Sequence, residues 1–132
     1  MSTGERGLAG LWSRRSREQA LFAAGALLIL VHTVDDSIAL GEIDVMPTVI
    51  TALALVTAAL YPVLGWQVIV GVALFVGVTR LVGGVLHVVS LVNGGGTEPG
   101  DYTGFSEALG ALCVLAVAAG IVRHRTQRSR SA

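Results

Sequence analysis

Three ionisable residues near the start of the chain could carry chemistry because of their types and their spacing. His32, Asp35 and Asp36 follow a run, from Ala20 to Val31, that has no polar side chain. In a helix, residues three and four positions apart lie on one face, so one imidazole and two carboxylates would point the same way. Ionisable groups at membrane depth are costly and usually face a bundle interior or a water-filled cavity. The stretch therefore predicts a buried polar site.

Three further ionisable residues lie in apolar surroundings later in the chain. Arg80 and His87 fall in one apolar segment, and Glu107 falls near the start of the last one. A guanidinium at membrane depth needs a partner, and we predict that Arg80 pairs with Asp35 or Asp36. Depth counted from the predicted helix ends at 1.5 Å per residue separates the candidate ligand or proton site into two layers. The outer layer would hold Asp36, His87 and Glu107, and the inner layer would hold His32, Asp35 and Arg80.

The cluster admits three functional interpretations. The first is transport or binding of a small molecule or ion with proton coupling, because histidine titrates near neutral pH and neighbouring acids share protons. The second is a metal site in a membrane oxidoreductase or hydrolase subunit, since imidazole and carboxylate suit zinc, iron or manganese. The third is a non-catalytic assembly or accessory subunit, whose polar contacts only set helix register. For the second interpretation the candidate ligands are His32, Asp36, His87 and Glu107.

Other kinds of site fit the sequence less well, and no cofactor follows from a motif. A haem held by His32 and His87 would need both at equal depth, but their predicted depths differ by about one helical turn of 5.4 Å. The chain shows no nucleophile triad, no phosphate-binding glycine loop and no dinucleotide motif, so the sequence does not decide whether it is an enzyme. Cys113 is the single cysteine and lies in an apolar run, so we expect a packing role.

Composition places these residues in a membrane protein. Hydrophobic residues make up 53% and charged residues 14% of the 132 residues, and the mean hydropathy is +0.73. A soluble domain carries about 25% charged residues, so this chain lacks the polarity to cover its surface in water. We predict an all-α fold of one domain, an integral membrane bundle of four transmembrane helices.

Proline, glycine and polar loops divide the apolar sequence into these helices. Residues 61–66 combine a proline, a glycine and two aromatics, which predicts a tight hairpin at a membrane surface. The helices are expected at about 18–40, 47–61, 65–92 and 103–122. The second is short for a span, and the third is long enough to tilt or to project beyond the bilayer. The predicted division is an arginine-rich leader over 1–19, a transmembrane domain over 20–122 and a basic tail over 123–132.

The arginines predict the orientation. Eight of the nine lie at the two ends of the chain, whereas the loops at 41–46 and 93–102 carry acids and no base. Short arginine-rich flanks stay in the cytoplasm, so both termini are expected there, in a multi-pass protein of the cell membrane. Its expected partner is the lipid bilayer rather than nucleic acid, because anionic lipid accounts for the arginines. Enclosing a transport pathway would require a homo-oligomer.

Periodicity also predicts which helix faces meet. Gly77, Arg80, Gly84 and His87 form a stripe on the third helix, and small residues at this spacing allow helices to approach closely. The second helix offers hydroxyls that can bond across to a neighbour. The fourth helix offers a face made of Glu107, Gly110, Ala111, Val114 and Ala118.

Overall fold

The described part of the chain folds into four helices that form one bundle. The structure, a computed structural model, describes the backbone of residues 3–94 and 102–131 and the side chains of 14–94 and 102–131. The described residues contain no strand. The helices are α1 (Thr3–Leu40), α2 (Val45–Leu60), α3 (Trp66–Val92) and α4 (Gly104–Arg130). The predicted all-α, four-helix fold is confirmed.

Three of the four helices are long and apolar enough to cross a membrane. These spans are Arg14–Leu40, Trp66–Val92 and Gly104–Arg130, each of 27 residues, which at 1.5 Å per residue is about 40 Å. α2 is apolar but has only 16 residues, or about 24 Å. Large apolar side chains such as Leu27, Phe75 and Leu112 are exposed on the outside of the bundle. The protein is therefore a helical membrane protein whose outer surface suits lipid.

The predicted inner boundaries agree with the structure, and the outer ends of the chain do not. α1 begins at Thr3 rather than near residue 18, and α4 continues to Arg130 rather than ending near residue 122. Neither 11–19 nor 121–130 contains a proline or glycine, and arginine and glutamine are good helix formers. Once the apolar part of each helix is fixed by packing, nothing within 11–19 or 121–130 stops it. This reason does not cover the continuation of α1 to Thr3, which passes Gly4, Gly7 and Gly10.

α4 packs closely against both α3 and α1, while α2 contacts α1 and α3 less extensively. α1 and α4 cross where Gly25 meets Gly110, and a Cβ added to Gly110 would lie 2.6 Å from the Gly25 carbonyl oxygen. The predicted faces of α3 and α4 are the buried ones. The apolar core of the bundle includes Phe22, Ala26, Ile29, Ala54, Val76, Val114 and Ala118.

Short connections join α1 to α2 and α2 to α3. Gly41 ends α1 with a φ of 70°, a conformation that glycine adopts without steric cost. The Asp44 side chain then accepts a hydrogen bond from the Met46 amide at 3.0 Å and caps α2. At the other end, Arg15 donates to the Tyr61, Pro62 and Leu64 carbonyls at 2.8, 3.2 and 3.0 Å. The hairpin predicted over 61–66 is thus held against α1.

Candidate functional site

His32 lies at the centre of the polar cluster, and 2% of it is exposed. Its Nδ1 lies 2.8 Å from the Thr103 hydroxyl, and this hydroxyl donates to Asp35 Oδ2 at 3.0 Å. On the other side of the ring, Nε2 lies 3.3 Å from Asp36 Oδ2 and 3.2 Å from Glu107 Oε2. One imidazole therefore faces two carboxylates directly and a third through a hydroxyl.

The contact between Thr103 and Asp35 favours one arrangement of the hydrogens on the His32 ring. With Asp35 ionised, the Thr103 hydroxyl hydrogen is directed at Asp35, so its oxygen accepts a hydrogen bond from Nδ1–H. A neutral imidazole then has a bare lone pair at Nε2. That lone pair would face two carboxylate oxygens, and three electron-rich atoms repel one another unless a proton or another cation lies among them. The arrangement is balanced when a proton or another cation lies between Nε2 and these carboxylate oxygens.

His87 brings a second imidazole to this point. The ring centroids of His32 and His87 are 4.9 Å apart in an edge-on arrangement, so no haem plane fits between them. One donor atom each from His32, Asp36 and His87 lie within 4.8 Å of one another. With zinc–ligand bonds of about 2.1 Å, tetrahedral donor atoms are about 3.4 Å apart. Small side-chain movements would bring the three residues around one ion, and Glu107 could add an oxygen.

Arg80 lies beside this cluster and connects all four helices. From α3, its Nη1 donates to Glu107 Oε1 on α4 at 3.0 Å. Its Nη2 donates to Thr51 Oγ1 on α2 at 2.6 Å and to Thr33 Oγ1 on α1 at 3.3 Å. Nη2 also donates to the Pro47 carbonyl. The guanidinium is therefore both ion-paired and multiply hydrogen-bonded.

The predicted partner of Arg80 is wrong. Arg80 pairs with Glu107 and not with Asp35 or Asp36, whose contacts are with Thr103 and His32. The predicted depth of each residue is counted from the end of its own helix. This count assumes that all helices end at the same height in the bundle.

The helices end at different heights, which explains the error. Gly104, the first residue of α4, packs against Gly84 and His87 of α3. α3 continues from Gly84 to Val92, eight residues or about 12 Å. α4 therefore begins well below the end of α3, and Glu107 is brought down to the guanidinium.

The predicted two-layer arrangement is wrong for the same reason. Glu107 was assigned to the outer layer, yet it bridges Arg80 and His32. His32 is predicted in the inner layer and Asp36 in the outer layer, yet His32 Nε2 lies 3.3 Å from Asp36 Oδ2. The cluster is instead a continuous chain of contacts from Arg80 through Glu107 and His32 to Asp36.

Three buried side-chain atoms of the cluster have no hydrogen-bond partner among the described residues. They are Asp36 Oδ1, Glu107 Oε2 and Arg80 Nε. Glu107 Oε2 is close to His32 Nε2 but is not aligned as a hydrogen bond. Two carboxylates next to His32 thus keep acceptor capacity that protein groups do not use.

Thr103 is one of two cluster residues that the sequence did not reveal. It occupies the N-cap position of α4, where a threonine hydroxyl usually accepts a bond from its own helix. Here the side chain makes no cap hydrogen bond and binds His32 and Asp35 instead. Thr33 was also missed, although its position next to His32 was a signal. Thr51 makes the cross-helix hydroxyl contact expected of α2, 2.8 Å from Thr33.

Comparisons with protein-family models, with curated proteins and with solved structures give no match for this chain.

Proposed function

We propose that this membrane protein binds a divalent transition-metal ion, of the zinc class, at the cluster around His32 and releases a proton when it does so. The proposal combines two of the three interpretations of the sequence. It takes ion binding with proton coupling from the first, and it takes the metal ligands from the second. One observation carries the proposal. Nε2 of His32 lies between a carboxylate oxygen of Asp36 and one of Glu107, at 3.3 and 3.2 Å, where only a cation balances the three atoms.

The charge of the cluster supports a divalent ion. Asp35, Asp36 and Glu107 are three carboxylates, and Arg80 is the one guanidinium among the described side chains that faces any of them. With neutral imidazoles this set has a formal charge of −2, equal and opposite to the charge of one Zn²⁺. Uncompensated charge at membrane depth is unfavourable, so the cluster should retain either protons or a cation.

The proton release follows from the ligand atom. A metal ion takes the Nε2 lone pair of His32, and the proton that Nε2 shares with the carboxylates must leave. The Nδ1–H of the same ring remains bound to Thr103 and, through it, to Asp35. Such outer contacts orient a ligating imidazole and raise its basicity. We therefore expect about one proton released per ion bound.

Binding by a single chain is better supported than conduction through it. Beyond Arg80, toward the other end of the bundle, the core is filled by fully buried apolar side chains that include Ile29, Val76 and Val114. Transport would need a pathway between several copies in a homo-oligomer. We assign the protein to the cell membrane with the cluster on the extracytoplasmic side, on the basis of the arginine distribution.

Titration calorimetry of the purified full chain in detergent with ZnCl₂ tests the proposal. Repeating the titration in two buffers of different ionisation enthalpy gives the number of protons released. The wild-type protein should bind one Zn²⁺ and release about one proton, with affinity rising as pH rises. His32→Gln should abolish binding, because the amide packs in the same space but ligates poorly.

His124→Gln is the matched control, since His124 is exposed near the other end of α4. It removes an imidazole without touching the cluster and should bind Zn²⁺ as the wild type does. Equal binding by the wild type and His32→Gln would place the metal elsewhere. Failure of the wild type to bind either Zn²⁺ or Mn²⁺ would refute the metal site and favour a cluster that only sets helix register.

A further inference from the structure

A polar pocket lies at the end of the bundle opposite the cluster around His32, where α1, α3 and α4 come together. Its volume is about 430 Å³, within the range of small-molecule sites. Ile69 and Ile121 contribute apolar wall. We call this cavity the basic pocket. The charged and aromatic part of its wall includes Arg14, Arg15, Tyr61, Trp66, Arg125 and Arg128.

The charge of the basic pocket is strongly positive. Four arginines and His124 line it, and Glu18 is the one acid among the lining residues. Glu18 is already paired with Arg14 at 2.9 Å, so it does not offset the other three guanidiniums. Like charges brought together by α1 and α4 oppose the packing of these two helices. An anion held among them would remove that repulsion.

Two of these arginines present donors that can reach an anion. The Arg125 guanidinium lies over the Trp66 ring, 4.3 Å from its centroid, and a stacked guanidinium keeps its N–H donors at its edge. Arg125 and Arg128 take part in no ion pair among the described residues. Arg15 is different, because it is used to hold the carbonyls of the α2–α3 turn. Arg15 therefore forms one side of the basic pocket, and the guanidiniums of the other side come from α4.

The aromatic residues of the basic pocket, Tyr61 and Trp66, favour a phosphate group as the anion. Burial, with the nearby Glu18 carboxylate, raises the pKa of Tyr61 to about 12, so the phenol stays neutral and does not repel a negative group. Trp66 is a residue typical of the level of lipid headgroups. Planar guanidinium groups bind phosphate in bidentate fashion. A phosphate group that carries an apolar substituent would contact both the arginines and the apolar wall formed by Ile69 and Ile121.

We infer that the basic pocket binds a phosphate group through Arg125 and Arg128. The phosphate can belong to an anionic lipid or to a soluble phosphate ester, and both have the same chemistry at the guanidiniums. This site is independent of the cluster around His32, since the two lie at opposite ends of the bundle.

Native mass spectrometry of the full chain, released from mixed micelles, measures the bound ligand directly. The probes are phosphatidylglycerol, phosphatidylcholine and glycerol 3-phosphate. We expect saturable binding of one phosphatidylglycerol, weaker binding of the zwitterionic phosphatidylcholine, and a lower affinity in the double variant Arg125→Gln/Arg128→Gln. The decrease should be about tenfold or more, the effect of losing a charge-assisted hydrogen bond.

The matched control is Arg123→Gln/Arg130→Gln. It removes the same charge from the same helix, but neither residue lines the basic pocket. Its affinity should stay within about twofold of the wild type, since exposed charges act weakly. Elution as a single folded species is required of both variants.

The outcomes separate the source of the phosphate from the existence of the site. Saturable binding of glycerol 3-phosphate with the same dependence on Arg125 and Arg128 would identify a soluble ester, and its absence would identify the lipid. Equal losses in the two double variants would overturn the proposal, because they would show general attraction to a basic surface. Lack of saturable binding of every probe by the wild type would overturn it as well.

Discussion

Replacing Arg80 by methionine should destabilise the bundle by about 3–5 kcal/mol, the usual effect of removing one member of a buried ion pair. Arg80 is 5% exposed and Glu107 is 2% exposed. The substitution leaves the Glu107 carboxylate in the bundle without its guanidinium, with His32 beside it. The other partners of Arg80 lose little, because Thr33 donates to the Ile29 carbonyl at 3.1 Å and Thr51 to the Pro47 carbonyl at 2.8 Å. The stranded carboxylate therefore accounts for most of the expected change.

The double variant Arg80→Met/Glu107→Gln separates this cause from simple loss of packing. It leaves no buried unpaired charge at this point, only a neutral amide whose unmet hydrogen bonds cost about 1–3 kcal/mol. Glu107→Gln alone should cost about 1.5–3 kcal/mol, because the guanidinium keeps its three oxygen acceptors on α1 and α2. The double variant should thus be more stable than Arg80→Met.

The free energy of unfolding can be measured by titrating the protein in mixed micelles with dodecyl sulfate and following helicity by circular dichroism. Thr79→Val is the control, since Thr79 is exposed and its hydroxyl bonds only within α3; it should change stability by less than about 0.5 kcal/mol. A cost below about 1 kcal/mol for Arg80→Met would contradict the assigned burial of the pair. A double variant as unstable as the sum of the singles would show that the two residues do not interact.

Two further predictions concern packing and orientation. Gly110→Ala should destabilise the crossing of α1 and α4 by about 1–3 kcal/mol through overpacking. Gly120→Ala on the same helix, where an added Cβ meets nothing within 4 Å, should be neutral or stabilising by up to about 1 kcal/mol; reversed signs in the unfolding titration would refute the crossing. In a Cys113→Ala background, cysteine at Asn93 should react with an impermeant thiol reagent added to intact cells, and cysteine at Ser129 should not. Labelling of position 129 from outside would reverse the predicted orientation.

The helices and their buried faces could be predicted because each depends on residues close together in the sequence. The stripe of small residues through Gly77 and Gly84 predicts a close approach, and α4 fits against it. The polar loop over 41–46 indicates the start of α2, and the proline, glycine and aromatics over 61–66 indicate its end. These signals need no knowledge of how one helix is shifted along another.

The pairing of charges could not be predicted because it depends on that shift. The relative height of α3 and α4 is set where Gly84 accommodates the backbone of Ala108, at 2.6 Å from an added Cβ. A displacement of one turn is about 5.4 Å, enough to exchange one carboxylate for another at the end of an arginine side chain. The hydroxyl of Thr103 was missed because its N-cap position indicates a structural role, and only the fold shows that it binds His32.

The two halves of the polar cluster differ in what they contribute to the fold. Arg80 connects four helices and uses Glu107, Thr33 and Thr51 as acceptors, so a role in helix register explains this half. The half around His32 adds Asp35, Asp36 and His87, and its contacts leave like charges facing one another. Buried ionic groups can often be replaced by apolar residues with no loss of stability, so surplus carboxylates that lack a counter-cation weaken the bundle. They become favourable once a cation lies among them, and this difference is the physical basis for placing the function at His32 rather than at Arg80.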